Sequence, residues 1–95
     1  MGFYTYTVSI GLAGNAQVME ETTSHIIDSV KSDSILSRHG RLEVSGTLKE
    51  RDLIEAGETM RGVLNRIVII LRGDGFEVTS EGWNIEQAEE PDGEE

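Results

Sequence analysis

The chain has no cysteine, one proline and few aromatic residues (one Trp, two Tyr and two Phe among 95 positions). The absence of cysteine excludes disulfides, thiolate metal sites and a cysteine nucleophile, and it is consistent with a reducing compartment. The longest unbroken apolar run covers residues 67–71, far short of the roughly 20 residues that a membrane-spanning helix needs. No basic segment followed by an apolar core stands at the N-terminus, so no signal peptide is predicted. We therefore expect a cytoplasmic protein without membrane contact.

Basic residues are also scarce. The chain has eight lysines and arginines and eighteen acidic residues, which gives a net charge of −10. Six of the acids lie in the last ten residues. Without their six negative charges the rest of the chain has a net charge of −4 (−10 + 6). That segment has few apolar side chains, so it cannot offset its ordering entropy. The sequence predicts one domain over residues 1–86 and a disordered acidic tail over residues 87–95. Without a concentrated basic surface, direct nucleic-acid binding is not expected.

The first thirty residues show two different periodicities. Apolar and small residues alternate near the N-terminus, which predicts a strand with one apolar face. That face consists of Tyr4, Tyr6, Val8, Ile10 and Leu12. After a break at residues 13–15 the spacing becomes helical, and Asn15 is the predicted N-cap of the helix. The inner face of this helix consists of Met19, Thr22, Thr23, Ile26 and Val30.

A long second helix is predicted over residues 47–72. Thr47 and Glu50 have the spacing of a capping box at its start, and Gly73 stands where a left-handed C-terminal cap is expected. Its apolar stripe consists of Leu53, Ala56, Met60, Leu64, Ile67 and Leu71. A rival interpretation makes residues 66–72 a strand, because they are rich in β-branched side chains and precede a glycine-containing turn. The unbroken three-four spacing favours the helix.

Three further strands complete the predicted elements. Residues 35–38 and 41–48 flank a turn and predict a short strand followed by a longer one. A last strand begins at residue 76, where Trp83 and Ile85 have the opposite parity to its first apolar residues. A bulge near residues 81–82 would return both side chains to the buried face.

The predicted order is strand, helix, strand, strand, helix, strand. With right-handed crossovers, this order gives a four-stranded antiparallel sheet with two helices on one face. We therefore expect an α+β fold of the ferredoxin-like βαββαβ type, an architecture that hosts many unrelated functions.

The first strand-to-helix turn is a candidate ligand site. Gly11, Gly14 and Asn15 would place backbone N–H groups at the start of a helix, where an anion can bind. The turn lacks the third glycine of a dinucleotide fingerprint and the lysine of a P-loop. An ordinary tight turn is the alternative.

A local basic cluster stands on this acidic chain at Arg38, His39 and Arg41. These residues could contact an acidic partner, or they could be incidental surface charge. No nucleophile motif is present, and the carboxylates fall on predicted exposed faces. We therefore predict no catalytic residue, no metal site and no cofactor.

Association is the remaining signal in the sequence. Ile69 lies opposite the apolar stripe of the long helix, and Val68 lies at the edge of that stripe. An exposed Ile69 beside Val68 predicts an interface, either in a homodimer or with a heterologous protein. The first strand would add backbone pairing if it lay at a sheet edge or met a partner's sheet.

Two functional hypotheses follow from these patterns. The first is a small acidic, non-enzymatic protein-interaction domain, an adaptor or inhibitor, and one version of it is a nucleic-acid mimic. The alternative is a small-ligand-sensing regulatory domain that uses the turn at residues 11–15.

Overall fold

The computed structural model describes residues 2–88, which form an α+β domain with a four-stranded antiparallel sheet and two helices. The elements in chain order are β1 Gly2–Leu12, a 3₁₀ turn Ala13–Asn15, α1 Glu20–Val30, β2 Ser34–Arg38, β3 Arg41–Glu50, α2 Leu53–Gly73 and β4 Val78–Ala88. The predicted number and order of helices and strands are confirmed.

The sheet has the strand order β2-β3-β1-β4, with every neighbouring pair antiparallel. β1 is therefore a central strand, paired with β3 on one side and with β4 on the other. β1 therefore has no free edge for pairing with another chain. The two edges belong to β2, with five residues, and to β4, with eleven.

One core lies between the helices and one face of the sheet. The alternating side chains of β1 from Tyr6 to Leu12 are buried there, as their period-two pattern predicts. Ile26 of α1 and Met60, Ile67 and Leu71 of α2 are fully buried against the same cluster. Burying a large aliphatic side chain contributes about 1.5–3 kcal/mol, so this cluster stabilises both helices on the sheet.

A close approach between β1 and β3 explains one glycine of the core. Tyr6 stands opposite Gly46 in the β1–β3 register. A Cβ at Gly46 would lie 2.6 Å from the Tyr6 hydroxyl oxygen and 2.8 Å from its ring carbons. Only glycine therefore lets the Tyr6 side chain lie across β3.

The long helix begins later than predicted. Residues 66–72 are helical, so the hairpin alternative is wrong. The capping box at Thr47 is also wrong, because Thr47 lies in β3 opposite Thr5. The N-cap is Asp52, whose Oδ1 accepts a 2.9 Å hydrogen bond from the Glu55 N–H.

The end of α2 is a Schellman-type turn rather than a cap at Gly73. Phe76 N–H donates to the Leu71 carbonyl at 3.0 Å, and Gly75 N–H donates to the Arg72 carbonyl at 3.1 Å. Gly75 takes the left-handed conformation that this turn requires, with φ of 95°. Gly73 is the last helical residue instead.

Two other predicted positions, the bulge in β4 and the end of β4, differ from the structure. The unpaired residue of β4 is Thr79, since Gly11 pairs with Ser80 while Leu12 pairs with Val78. The bulge expected near residues 81–82 therefore lies earlier in the strand. β4 continues through Ala88, so residues 87 and 88 belong to the sheet and not to the predicted tail. The rest of the predicted tail, residues 89–95, lies outside the described residues.

Candidate functional site

An apolar groove lies between the first turns of α2 and the edge strand β4. Leu53, Gly57, Trp83, Asn84 and Ile85 line this groove, whose volume is about 250 Å³. Trp83 and Ile85 stand opposite Val8 and Tyr6 of β1, so both side chains lie on the helix-covered face of the sheet.

The side chains around the groove are unusually exposed for their type. Leu53 is 59% exposed and Trp83 is 40% exposed. Gly57 faces the Trp83 ring, and a Cβ at this position would lie 3.7 Å from the ring, in ordinary van der Waals contact. Ile54, beside Leu53 on α2, is 76% exposed but does not line the groove. A concentration of exposed apolar side chains in so small a domain indicates a binding surface.

The groove runs beside a free strand edge. β4 pairs with β1 on one side and, among residues 2–88, with no strand on the other. Its outward-facing N–H and C=O groups can therefore accept another strand. Sequence reasoning missed this site, because Leu53 was assigned to the core stripe and Trp83 to a buried position.

The two interface residues predicted on α2, Val68 and Ile69, differ in exposure. Ile69 is 68% exposed, as its position opposite the apolar stripe predicts. Val68, predicted at the edge of that stripe, is only 6% exposed and belongs to the core cluster, so it adds nothing to an exposed surface on α2. Ile69 is thus left without an adjacent exposed apolar side chain on its own helix. A single exposed isoleucine is ordinary surface, in contrast to the groove.

The predicted ligand turn does not stand at a helix start. α1 begins at Glu20, with Met19 and not Asn15 as its N-cap. Asn15 and Gly14 take left-handed conformations in the 3₁₀ turn, with φ of 54° and 69°. The Leu12 and Ala13 N–H groups donate to backbone carbonyls at 2.8 and 3.0 Å. These amides are therefore satisfied within the fold, and the helix-start anion site does not form.

Two of the predicted site residues meet in a different pocket. Gly11 and Arg41 line a polar pocket of about 410 Å³ at one end of the sheet, together with Ser9, Ile10, Gly40, Thr79 and Ser80. Gly11 admits the side chain of Ser80, because a Cβ at Gly11 would collide with the Ser80 hydroxyl oxygen. Arg41 faces the same side of the sheet as Arg38, its partner in the β2–β3 hairpin. The Arg41 guanidinium also lies 3.4 Å from the Glu43 carboxylate, which partly neutralises it.

A polar cluster ties α1 to the end of α2. The Thr22 hydroxyl donates to Asp74 Oδ2 at 2.5 Å, and His25 Nδ1 lies 3.7 Å from the same oxygen. The carboxylate stands between the hydroxyl and the imidazole, whereas nucleophilic catalysis needs the imidazole beside the hydroxyl. This cluster is an interhelical contact without the geometry of a catalytic triad.

Two buried hydroxyls, those of Tyr6 and Ser32, have no hydrogen-bond partner among residues 2–88. Burial raises the pKa of Tyr6 above its usual 10, and the nearby Asp33 carboxylate raises it further. Thr47 donates to the same Asp33 carboxylate at 3.1 Å, so Asp33 is anchored beside β3.

Within the described residues, no group of three or more His, Asp or Glu side chains is placed to hold a metal ion. None of the helices in that part of the chain is long and apolar enough to cross a membrane. Comparison with protein-family models, curated proteins and solved structures found no match to this chain.

Proposed function

We propose that this chain is a small, non-enzymatic protein-interaction domain, an adaptor or inhibitor that binds an extended polypeptide strand along β4. The observation that supports this proposal most directly is an apolar groove beside the free edge of an eleven-residue strand. The groove is lined by Leu53, Gly57, Trp83 and Ile85. Backbone pairing along such an edge supplies affinity, and a neighbouring pocket selects the side chains of the added strand. The expected occupant therefore has an extended backbone and an apolar side chain that enters the groove.

The position of β4 at an edge of the sheet supports the proposal. We assign the fold to the ferredoxin-like type, because β1 and β3 are central and each βαβ unit spans one intervening antiparallel strand. This fold leaves both outer strands accessible, and one of them here carries the groove. The fold itself implies no activity.

The test compares two substitutions in the same helical turn. Leu53→Glu places a carboxylate in the groove, whereas Ile54→Glu places it on the neighbouring surface outside the groove. Both variants should fold, because acidic residues are favourable in the first turn of a helix. Each chain is immobilised and exposed to a lysate of the source cell. Proteins retained by wild type and by Ile54→Glu but lost with Leu53→Glu support the proposal.

Trp83 provides an independent readout, since it is the only tryptophan of the chain. An added strand would shield its ring, so binding should shift the emission to shorter wavelength and reduce quenching by iodide. Equal capture by all three chains, or capture without any change at Trp83, would overturn the assignment of the surface.

A second candidate function is supported by the polar pocket of Gly11 and Arg41. This pocket would serve a ligand-sensing domain that binds a small anion, with the Arg41 guanidinium and the Thr79 and Ser80 hydroxyls as donors. Titration with inorganic phosphate, followed by amide NMR shifts, tests this function. Saturable shifts at Gly11 and Ser80 that disappear in Arg41→Gln support it, and shifts absent at millimolar phosphate contradict it.

A further inference from the structure

We infer that the strand received by β4 is β4 of a second copy, paired antiparallel about a two-fold axis at Asn84. This inference rests on the proposed function, since it names the partner of the same surface. It would join two four-stranded sheets into one of eight strands and remove the free edge of β4 from both copies.

The bulge in β4 selects the position of the axis. Thr79 has no partner in β1, so the regular part of the ladder runs from Ser80 to Ala88. Asn84 is the middle residue of these nine. An axis at Asn84 therefore pairs the whole regular segment with itself, whereas other axes leave part of it unpaired or reach into the bulge.

The apolar side chains also match in this register. Trp83 of one copy would stand opposite Ile85 of the other, and the pair occurs twice because of the two-fold symmetry. Both side chains lie on the helix-covered face, so each Ile85 would approach the groove beside Leu53 of the other copy. Aromatic and β-branched residues opposite each other are favourable cross-strand pairs.

The two carboxylates of the regular part of β4, Glu81 and Glu86, are compatible with an axis at Asn84 and disfavour several other axes. With the axis at Asn84, Glu81 stands opposite Gln87 and Gly82 stands opposite Glu86, so no two acids face each other. An axis at Glu81 or at Glu86 would oppose that glutamate to its own copy, which is destabilising. An axis at Trp83 would place Glu81 opposite Ile85 and leave the carboxylate beside an apolar side chain.

Single cysteines test the register directly, because the chain has none of its own. In Asn84→Cys the two Cα atoms would lie about 4.5–5.5 Å apart, within the range of a disulfide. We expect rapid disulfide-linked dimers of Asn84→Cys under mild oxidation. Gly82→Cys and Glu86→Cys should each remain largely uncrosslinked alone and should crosslink when mixed, since residues 82 and 86 face each other across the axis.

A different crosslinking pattern would overturn the register. Crosslinks between Gly82→Cys and Asn84→Cys chains would indicate an axis at Trp83. Equal crosslinking of all single variants would indicate random collision. Denaturation in urea before oxidation is the control, and it should abolish the preference for position 84.

Light scattering separates this inference from the proposed function. We expect wild type and Ile54→Glu to be dimers, and we expect Leu53→Glu to raise the dissociation constant by about tenfold or more, because it buries unpaired carboxylates in both symmetric grooves. A wild type that stays monomeric at high micromolar concentration overturns the self-pairing. If its capture of another protein still depends on Leu53, the proposed function stands. If capture is also insensitive to Leu53, both fail.

Discussion

The two outer edges of the sheet are built differently. β2 has only five residues. The segment before α1 is tied to the β2 end of the sheet, since Val18 N–H donates to the Ser37 hydroxyl at 3.2 Å and Gly40 N–H donates to the Ala16 carbonyl at 2.9 Å. β4 has eleven residues. Among the loop and side-chain hydrogen bonds of residues 2–88, none from outside the sheet ends on β4.

The difference shows which edge is protected against pairing. A short edge strand offers few backbone groups for pairing with another strand, whereas a long regular edge beside an apolar groove favours such pairing. The β2 edge also carries Arg38 next to Arg41 across the hairpin, and charges at an edge disfavour association. The β4 edge carries two carboxylates, Glu81 and Glu86, and its bulge at Thr79 lies near one end of the strand, so most of its length stays regular.

The largest expected loss of stability is at Gly46 in β3, on the β2 side of the sheet. Gly46→Ala should lower the free energy of unfolding by about 2–3 kcal/mol, because its Cβ would overlap the packed Tyr6 ring. Gly62→Ala is the control, since nothing lies within 4 Å of a Cβ there and alanine favours a helix by up to about 1 kcal/mol. Urea denaturation measures both. Equal stabilities for the two variants would mean that Tyr6 does not lie across β3.

A smaller effect is expected where α2 begins beside the groove. Asp52→Ala should cost about 1 kcal/mol, because it removes the side chain that caps the Glu55 N–H. Thr47→Ala should cost less than about 0.5 kcal/mol, since Thr47 is exposed in β3. Chemical denaturation of both variants checks the order. A larger loss for Thr47→Ala would restore a helix start at Thr47.

Charge should modulate pairing along β4 only modestly. A chain that ends at residue 88 loses five acids (Glu89, Glu90, Asp92, Glu94 and Glu95), which changes its formal charge from −10 to −5. Lower repulsion between copies should tighten dimerisation at low salt by a few-fold, with the gain reduced as salt screens the charges. Sedimentation at two salt concentrations measures this. Weaker association of the shortened chain would show that the removed residues contribute to binding.

The smallest effect at neutral pH is expected at the Tyr6 hydroxyl. Its pKa is raised in the folded protein by burial and by Asp33, so an unfolded tyrosine ionises first. Stability should therefore be constant below pH 10 on this account and fall as the pH rises toward the folded pKa. Tyr6→Phe should be nearly neutral at pH 7, since the hydroxyl has no partner among residues 2–88. It should also lose less stability between pH 9 and pH 11, and an unchanged alkaline slope would contradict this account.

The sequence predicted those parts of the fold that depend on periodicity. The apolar face of β1 and the helical nature of residues 66–72 were predicted because buried side chains recur with the period of the element. The helix start was missed, because Thr47–Glu50 and Asp52–Glu55 both have capping spacing, and only the pairing of Thr47 with Thr5 excludes the first.

The site was harder to predict than the fold. Which strand lies at an edge depends on long-range pairing, so the sequence alone could not assign the free edge to β4. Leu53 fits the apolar stripe of α2 by spacing, yet in the first turn of the helix it is 59% exposed. The polar pocket joins Gly11 to Arg41, thirty residues apart in sequence, through the β1–β3 register.

Hydrogen exchange of backbone amides compares the two edges most directly. At micromolar and then millimolar protein, the amides of β4 that do not bond to β1 should change from fast to slow exchange, because a second strand protects them. The outer amides of β2 should exchange at the same rate at both concentrations. Protection that rises with concentration at β2 and not at β4, or fast exchange of the outer β4 amides at every concentration, would contradict pairing through β4.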